Sequence, residues 1–374
     1  MESSAAMSEH LDFSLSLHKH LAPPPEQPFC WSPYSVASAL GLVTAAVGGS
    51  TRDELAAALR IGPDDLGGLL DLLAGSAELG GTGRSGEEPV LAVANTLWAY
   101  DDLLVHESFL RELKSWPGSD VRTAPFRERP ETARQLINSD VEETTRGLIP
   151  ELLPEGSVDP ETVAALVNAL YLRTSWQEAF DDKATAPRVF HAPRGDRDVP
   201  TMHVTRRFGY AAAGGWQAVT IPAAGGVDGV VLLPDEGLDQ AEPALDADRL
   251  ESLLSSAEQQ RVELLLPKFD VRGAAELQRP LGALGVRTVF TPGADFSPLT
   301  DRTLRVSTVV HRSVLRVDEN GLEGAAATAA MMRLTAIVRE EEPIRVEVDR
   351  PFLFLVRHRK TGAVYFLARV VDPA

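Results

Sequence analysis

The chain of 374 residues is short of cysteine, lysine and aromatic rings, and it lacks any excess of positive charge. Its one cysteine, Cys30, excludes an internal disulfide framework and any cysteine-rich zinc site. That fits a reducing compartment, with Cys30 read as a packed thiol. A formal net charge of -18 argues against nucleic acid, polyanions and acidic membrane surfaces as partners, and no cluster of Lys and Arg breaks the pattern. No apolar run is long enough to span a bilayer, so no membrane partner is expected. Residues Met1 to His10 hold no basic start followed by an apolar stretch, which is what a secretory signal requires. A cytoplasmic protein is the expectation, with an extracellular location left open.

Motifs of catalysis are missing as well. There is no His-Glu-x-x-His, no phosphate-binding loop ending in Lys-Ser or Lys-Thr, and no Gly-x-Ser-x-Gly elbow. His18-Lys19-His20 places two imidazoles on an amphipathic helix, where exposed surface is expected rather than a metal site. Arg194-Gly195-Asp196 falls in a turn between strands. The chain is expected to be no enzyme, to hold no metal and no cofactor, and to be a monomer.

What is present is apolar patterning. With 44% hydrophobic residues the chain can bury a large core. Helical spacing predicts helices over 11–21, 34–43, 107–116, 131–145, 246–258 and 274–284, with another after Gly48 capped by Ser50 or Thr51. Strands are predicted over 89–97, 190–202, 216–221, 229–234 and 261–270, with a buried hairpin of 349–356 and 363–367 about Lys360-Thr361-Gly362. The long apolar run from Val163 to Leu172 suits a strand in the middle of a large sheet. No repeat and no linker interrupts the pattern, so residues 1–374 read as one mixed α+β domain.

One stretch has an unusual composition. From Leu322 onward, alternate residues put Leu322, Gly324, Ala326, Thr328, Ala330 and Met332 on one face, and Glu323, Ala325, Ala327, Ala329, Met331 and Arg333 on the other. Side chains this small let a segment slide between two existing strands, and the first face can be buried. An alanine run is also a good helix former or a linker, and spacing alone leaves those readings open.

Other pieces decide between them. Ser32-Pro33-Tyr34-Ser35, Asn95-Thr96-Leu97, Leu166-Val167-Asn168-Ala169-Leu170-Tyr171 with Trp176, Leu266-Pro267-Lys268-Phe269, Ala294-Asp295-Phe296-Ser297, His311 and Pro351-Phe352-Leu353-Phe354 follow one another along the chain. With these motifs in this order, from about Phe29 to Pro373, the chain resembles the serpin family, serine protease inhibitors that trap their targets by loop insertion. The few lysines and abundant Ala, Gly and Pro suit a bacterial member.

The resemblance implies an α+β fold of three β-sheets with eight or nine helices and an exposed reactive-centre loop at about 319–345. It implies a hinge of Glu319, Gly321, Leu322, Glu323, Gly324, Ala325, Ala326, Ala327 and Thr328. Ser32, Ser35, Asn168 and His311 match the polar shutter through which the main sheet parts, and Trp176 matches the breach where the loop inserts. Leu322 departs from the family, which has Thr or Ser there, and so do Pro28, Asp140 and Ala368, where Asn, an aromatic and Gly are usual. The family's hinge-to-bond distance, counted from Gly321, puts the cleaved bond at Thr335-Ala336, with Arg333, Leu334 and Arg339 as alternatives. The implied function is suicide-substrate inhibition of a serine protease, elastase-like or subtilisin-like if Thr335 occupies its specificity pocket. The alternative is a non-inhibitory serpin acting as a binding or folding-assisting protein.

Overall fold

The computed structural model describes residues 2–62, 65–81, 88–160, 162, 164–322 and 342–373. Among them are nine α-helices: α1 (Glu2–Leu21), α2 (Pro33–Ala46), α3 (Gly49–Ala58), α4 (Leu66–Ala77), α5 (Glu107–Leu113), α6 (Pro130–Thr144), α7 (Leu238–Ala244), α8 (Ala247–Ser255) and α9 (Gln278–Ala283). The strands are β1 (Phe29–Trp31), β2 (Val90–Tyr100), β3 (Ser119–Ala124), β4 (Ala164–Ser175), β5 (Ala186–Ala192), β6 (Gly195–Ala213), β7 (Trp216–Pro222), β8 (Val227–Pro234), β9 (Glu258–Pro267), β10 (Phe269–Glu276), β11 (Thr308–Val317), β12 (Gly321–Leu322), β13 (Ile344–Glu347), β14 (Phe352–His358) and β15 (Val364–Val370).

β4 explains the centre of the molecule. All its residues but Arg173 are buried, and they divide by alternation. Leu166, Leu170 and Leu172 join the main core, while Ala165, Val167 and Ala169 join a smaller core built on Phe126, Ile137 and Val141. A strand covered on both faces must be an unbroken apolar run. β11 has one fully buried face, so its residues alternate between buried and half-buried. α2 is buried along its whole length, and Gly41 makes room there for Trp116, whose ring would lie 2.4 Å from a Cβ at that position.

β4 belongs to a six-stranded sheet of order β10-β11-β12-β4-β2-β3. The other nine strands run β1-β15-β14-β8-β7-β6-β9-β13, with β5 also on β6. β6 changes partners along its length, pairing with β5 over 195–201, with β9 over 201–210 and with β7 over 209–213. The expected three sheets therefore correspond to the six-stranded sheet and two wings that share β6.

Three local expectations are corrected. The helix predicted over 274–284 is strand as far as Glu276, because all of β10 pairs with β11, from Phe269↔Val317 to Glu276↔Val310. A Cβ at Gly273 would lie 1.6 Å from the Cys30 carbonyl oxygen, so β1 crosses directly over this strand. Pairing overrides the helix preference of Ala274 and Ala275. The cap of α3 is Gly48 rather than Ser50 or Thr51, since the Thr51 hydroxyl instead accepts from the Asp295 N–H at 3.1 Å. α1 begins at Glu2, well before residue 11.

Candidate functional site

The six-stranded sheet is incomplete in one place. β4 and β11 are parallel neighbours at one end, from Thr308↔Ala165 to His311↔Asn168. At the other end β12 lies between them, with Leu322 opposite both Thr174 and Val317 and Gly321 opposite Ser175. In between, residues 169–173 of β4 and 312–316 of β11 have no ladder to each other. A small cavity opens there, lined by Leu170, Tyr171, Leu172, Val314, Leu315 and Arg316. The two strands thus part from direct pairing at one end to admit β12 at the other, leaving a narrowing slot whose mouth is occupied by two residues.

The turn that feeds the slot is held on every side. The Asp318 carboxylate accepts from the N–H groups of Asn320 and Gly321 at 2.8 and 3.2 Å. Trp176, buried beside it, donates its backbone N–H to the Asn320 carbonyl at 2.9 Å and its indole N–H to the Asp318 carbonyl at 2.8 Å. Glu319 is buried, with Lys268 Nζ at 2.8 Å and the Thr185 hydroxyl at 2.7 Å. Burial opposes charge on Glu319, yet hydrogen bonds from Lys268 and Thr185 hold its carboxyl below the usual range. Gly321 passes so close to β4 that a Cβ would lie 2.1 Å from the Thr174 carbonyl oxygen. Leu322 is 0% exposed and packs in the main core.

Ser32, Ser35, Asn168 and His311 come together where β4 and β11 meet. The Ser32 N–H donates to His311 Nε2 at 3.0 Å, which leaves Nδ1 to carry the proton and donate to Asn168 Oδ1 at 2.8 Å. Asn168 in turn donates to the Ser35 carbonyl at 2.5 Å and to Asn95 Oδ1. Asn95 donates onward to the Ser38 hydroxyl at 2.7 Å. Ser32 also caps α2, accepting from the Ser35 N–H at 3.1 Å. Ser35 contributes its backbone alone, since its buried hydroxyl oxygen has no hydrogen-bond partner among the described residues. Asn95 was named only as part of a motif, and its place opposite Asn168 in this cluster depends on the β2–β4 register.

This network has a pH signature. Burial pushes His311 down to about 3, and a protonated ring would lose the Ser32 N–H bond. His10, buried and accepting from the Val364 N–H, is pushed down by burial to about 4. The unfolded chain takes up these protons below about pH 6.5 while the folded chain does not, so stability is complete above that pH and is lost progressively toward pH 3. Melting temperatures should fall between pH 7 and pH 4, and the fall should be shallower in His311→Asn. An equal fall in the variant would remove His311 from this account.

The expected exposure of His18 is corrected. Its Nδ1 accepts from the Trp31 indole at 3.0 Å and its Nε2 lies 2.6 Å from Glu242, which Arg369 also grips at 2.7 Å. Partners on β1, α7 and β15 draw this face of α1 inward. Among the described residues no group of three metal-capable side chains is assembled, and no helix is long and apolar enough to cross a membrane. Glu323, Gly324, Ala325, Ala326, Ala327 and Thr328 of the hinge lie outside the described residues, as do Arg333, Leu334, Thr335, Ala336 and Arg339.

Comparison with known proteins gives one answer. The family model described as serpin (serine protease inhibitor) matches residues 8–373. A leukocyte elastase inhibitor of Bos taurus is 33% identical, covering 91% of this chain and 92% of the relative. An uncharacterized serpin-like protein of Thermococcus kodakarensis is 31% identical over 96% of this chain and 84% of its own. The crystal structure of uncleaved ovalbumin superposes with a TM-score of 0.85 at 25% identity, covering 98% of this chain and 99% of that one. With a family match over nearly its whole length and relatives above 30% identity along nine-tenths of it, the chain belongs to the serpin family.

Proposed function

We propose that the chain is a serine protease inhibitor that works as a suicide substrate. The observation that carries this reading is the slot between β4 and β11, unfilled over five positions and continuous with β12. Continuing the β12 register puts Ala326 between Leu170 and Ser313, and Thr328 between Asn168 and His311. The first face of the hinge then meets the main core, and its one hydroxyl meets the polar cluster. Insertion past Ala327 must separate His311 from Asn168, so that cluster acts as the shutter. Trp176 and the Lys268–Glu319 pair hold the breach above it.

Inserted strands belong to a known mode of chain addition, and loop insertion in serpins is its established example. The protease attacks the loop and its nucleophile becomes acylated. The freed loop then enters the slot and carries the enzyme with it before the ester is hydrolysed. The proposed bond is Thr335-Ala336, in a loop of about 319–345. A small threonine suits the shallow pocket of an elastase-like or subtilisin-like enzyme, whereas Leu334 suits a chymotrypsin-like one and Arg333 or Arg339 a trypsin-like one. A non-inhibitory role is the weaker reading, because the run from Gly324 to Ala330 keeps the small side chains that insertion needs.

Mass spectrometry after reaction with a panel of serine proteases tests this directly. A covalent complex with an elastase-like or subtilisin-like enzyme, and a cut after Thr335, are expected. Complexes with trypsin alone would move the bond to Arg333 or Arg339. Clean cleavage by every enzyme with no complex would remove the inhibitor reading.

A further inference from the structure

Two arginines stand at one level on the strands that flank the first unfilled position of the slot, Arg173 on β4 and Arg316 on β11. Leu322 stands between Thr174 and Val317 with its side chain in the core, so the next level of the slot is flanked by Arg173 and Arg316, which belong to the opposite face of their strands. Both arginines are half-buried. Arg316 is held by Asp270 at 2.8 Å, while Arg173 has no ion-pair partner among the described residues. The two strands have no ladder to each other at this level, so a strand entering between them would present one residue to both arginines. A carboxylate at that position would meet both guanidiniums, and the residue after Leu322 is Glu323.

We propose that Arg173 and Arg316 form a guanidinium clamp for the Glu323 carboxylate as the loop enters the sheet, making them positioning residues for insertion. This rests on the insertion reading above and adds what steers its first step. The occupant is the segment 323–327 of this chain, chosen by its continuity with β12 and by charge. The clamp also reads register. A slip of one residue would turn Leu322 toward the arginines and Glu323 into the apolar core, so only the correct alignment satisfies both faces. Further along the same face the slot offers Tyr171 with Val314, then Ala169 with Arg312, against Ala325 and Ala327. Among these positions, only the first pairs opposite charges.

The test is a charge swap read on insertion rather than on docking. Glu323→Arg should raise the stoichiometry of inhibition by roughly two- to thirty-fold, the size expected for losing two cross-strand ion pairs. Arg173→Glu with Arg316→Glu should do the same, and combining all three changes should restore the wild-type value. Arg173→Gln with Arg316→Gln gives a milder pair of changes for the same measurement if the acidic variants fold poorly. Failure of the swap to rescue, or an unchanged stoichiometry in either partner's variants, overturns the clamp. The wild-type protein is nicked in parallel. If nicking stabilises it while the swaps have no effect, the clamp alone is wrong, and if nicking does not stabilise it, insertion fails and the clamp falls with it.

Discussion

Ala326→Glu is expected to be cut at the same bond as the wild type and then released as spent substrate, with little protease trapped. In the proposed register position 326 lies between Leu170 and Ser313, on the face of the sheet that turns to the main core. A carboxylate there has no cation to meet, because the nearest residues on that face are Leu170, Ser313, Leu172, Leu315 and Asn168, and His311 beside them is kept neutral by burial. An unpaired buried charge costs several kcal/mol, and about 1.4 kcal/mol changes a rate ratio tenfold. Insertion competes with deacylation, so the fraction trapped should fall by at least about tenfold. Docking should change little, since the proposed bond is nine positions away. The measurement is the stoichiometry of inhibition together with the mass of the cleaved chain. Wild-type trapping by this variant would mean that position 326 is not buried and that the register proposed for the hinge is wrong.

Much of this arrangement was legible in the sequence, for a physical reason that differs from element to element. β4 was visible because a strand buried on both faces leaves no polar interruption. Gly321 and Leu322 were named only through the family resemblance, and the structure adds that one lies too close to β4 to carry a side chain and the other is fully buried. Composition did not show that Leu322 is already inserted in the intact chain. That follows from its pairing with Val317 and Thr174, which only the folded register defines.

Other features were hidden because their causes lie far away in the chain. His18 looked like surface, and its burial depends on Trp31, Glu242 and Arg369. Lys268 was noticed only as part of a motif, and Glu319, its ion-pair partner, only as hinge. α4 has Leu66, Leu69, Leu72 and Leu73 on one buried face, a helical spacing that was present but unread. β10 was misread where Ala274 and Ala275 favour helix and the neighbouring strand does not allow it.

The central claim is that the intact chain is short of a strand its own loop can supply, and thermal melting of intact and nicked protein tests it most directly. Over five positions β4 and β11 have no ladder to each other, although each is paired on its other side, and Gly324, Ala325, Ala326 and Ala327 have the size to enter there. Backbone bonds to both flanking strands, at about 0.5–1.5 kcal/mol each, nearly cancel about 1–2 kcal/mol of backbone ordering per residue, so burial of the Ala side chains and Met332 tips the balance once a cut releases the loop. A stored difference of about 5–10 kcal/mol corresponds to a rise of about 10 °C in a chain this long. Ordinary nicking of a loop adds chain ends and stabilises nothing. Any protease that clips near Thr335 serves, and both samples must be heated at one scan rate because a trapped state melts kinetically. A rise of about 10 °C or more after the cut is the predicted result. An equal or lower melting temperature would contradict insertion and leave the chain a binding protein built on the same fold.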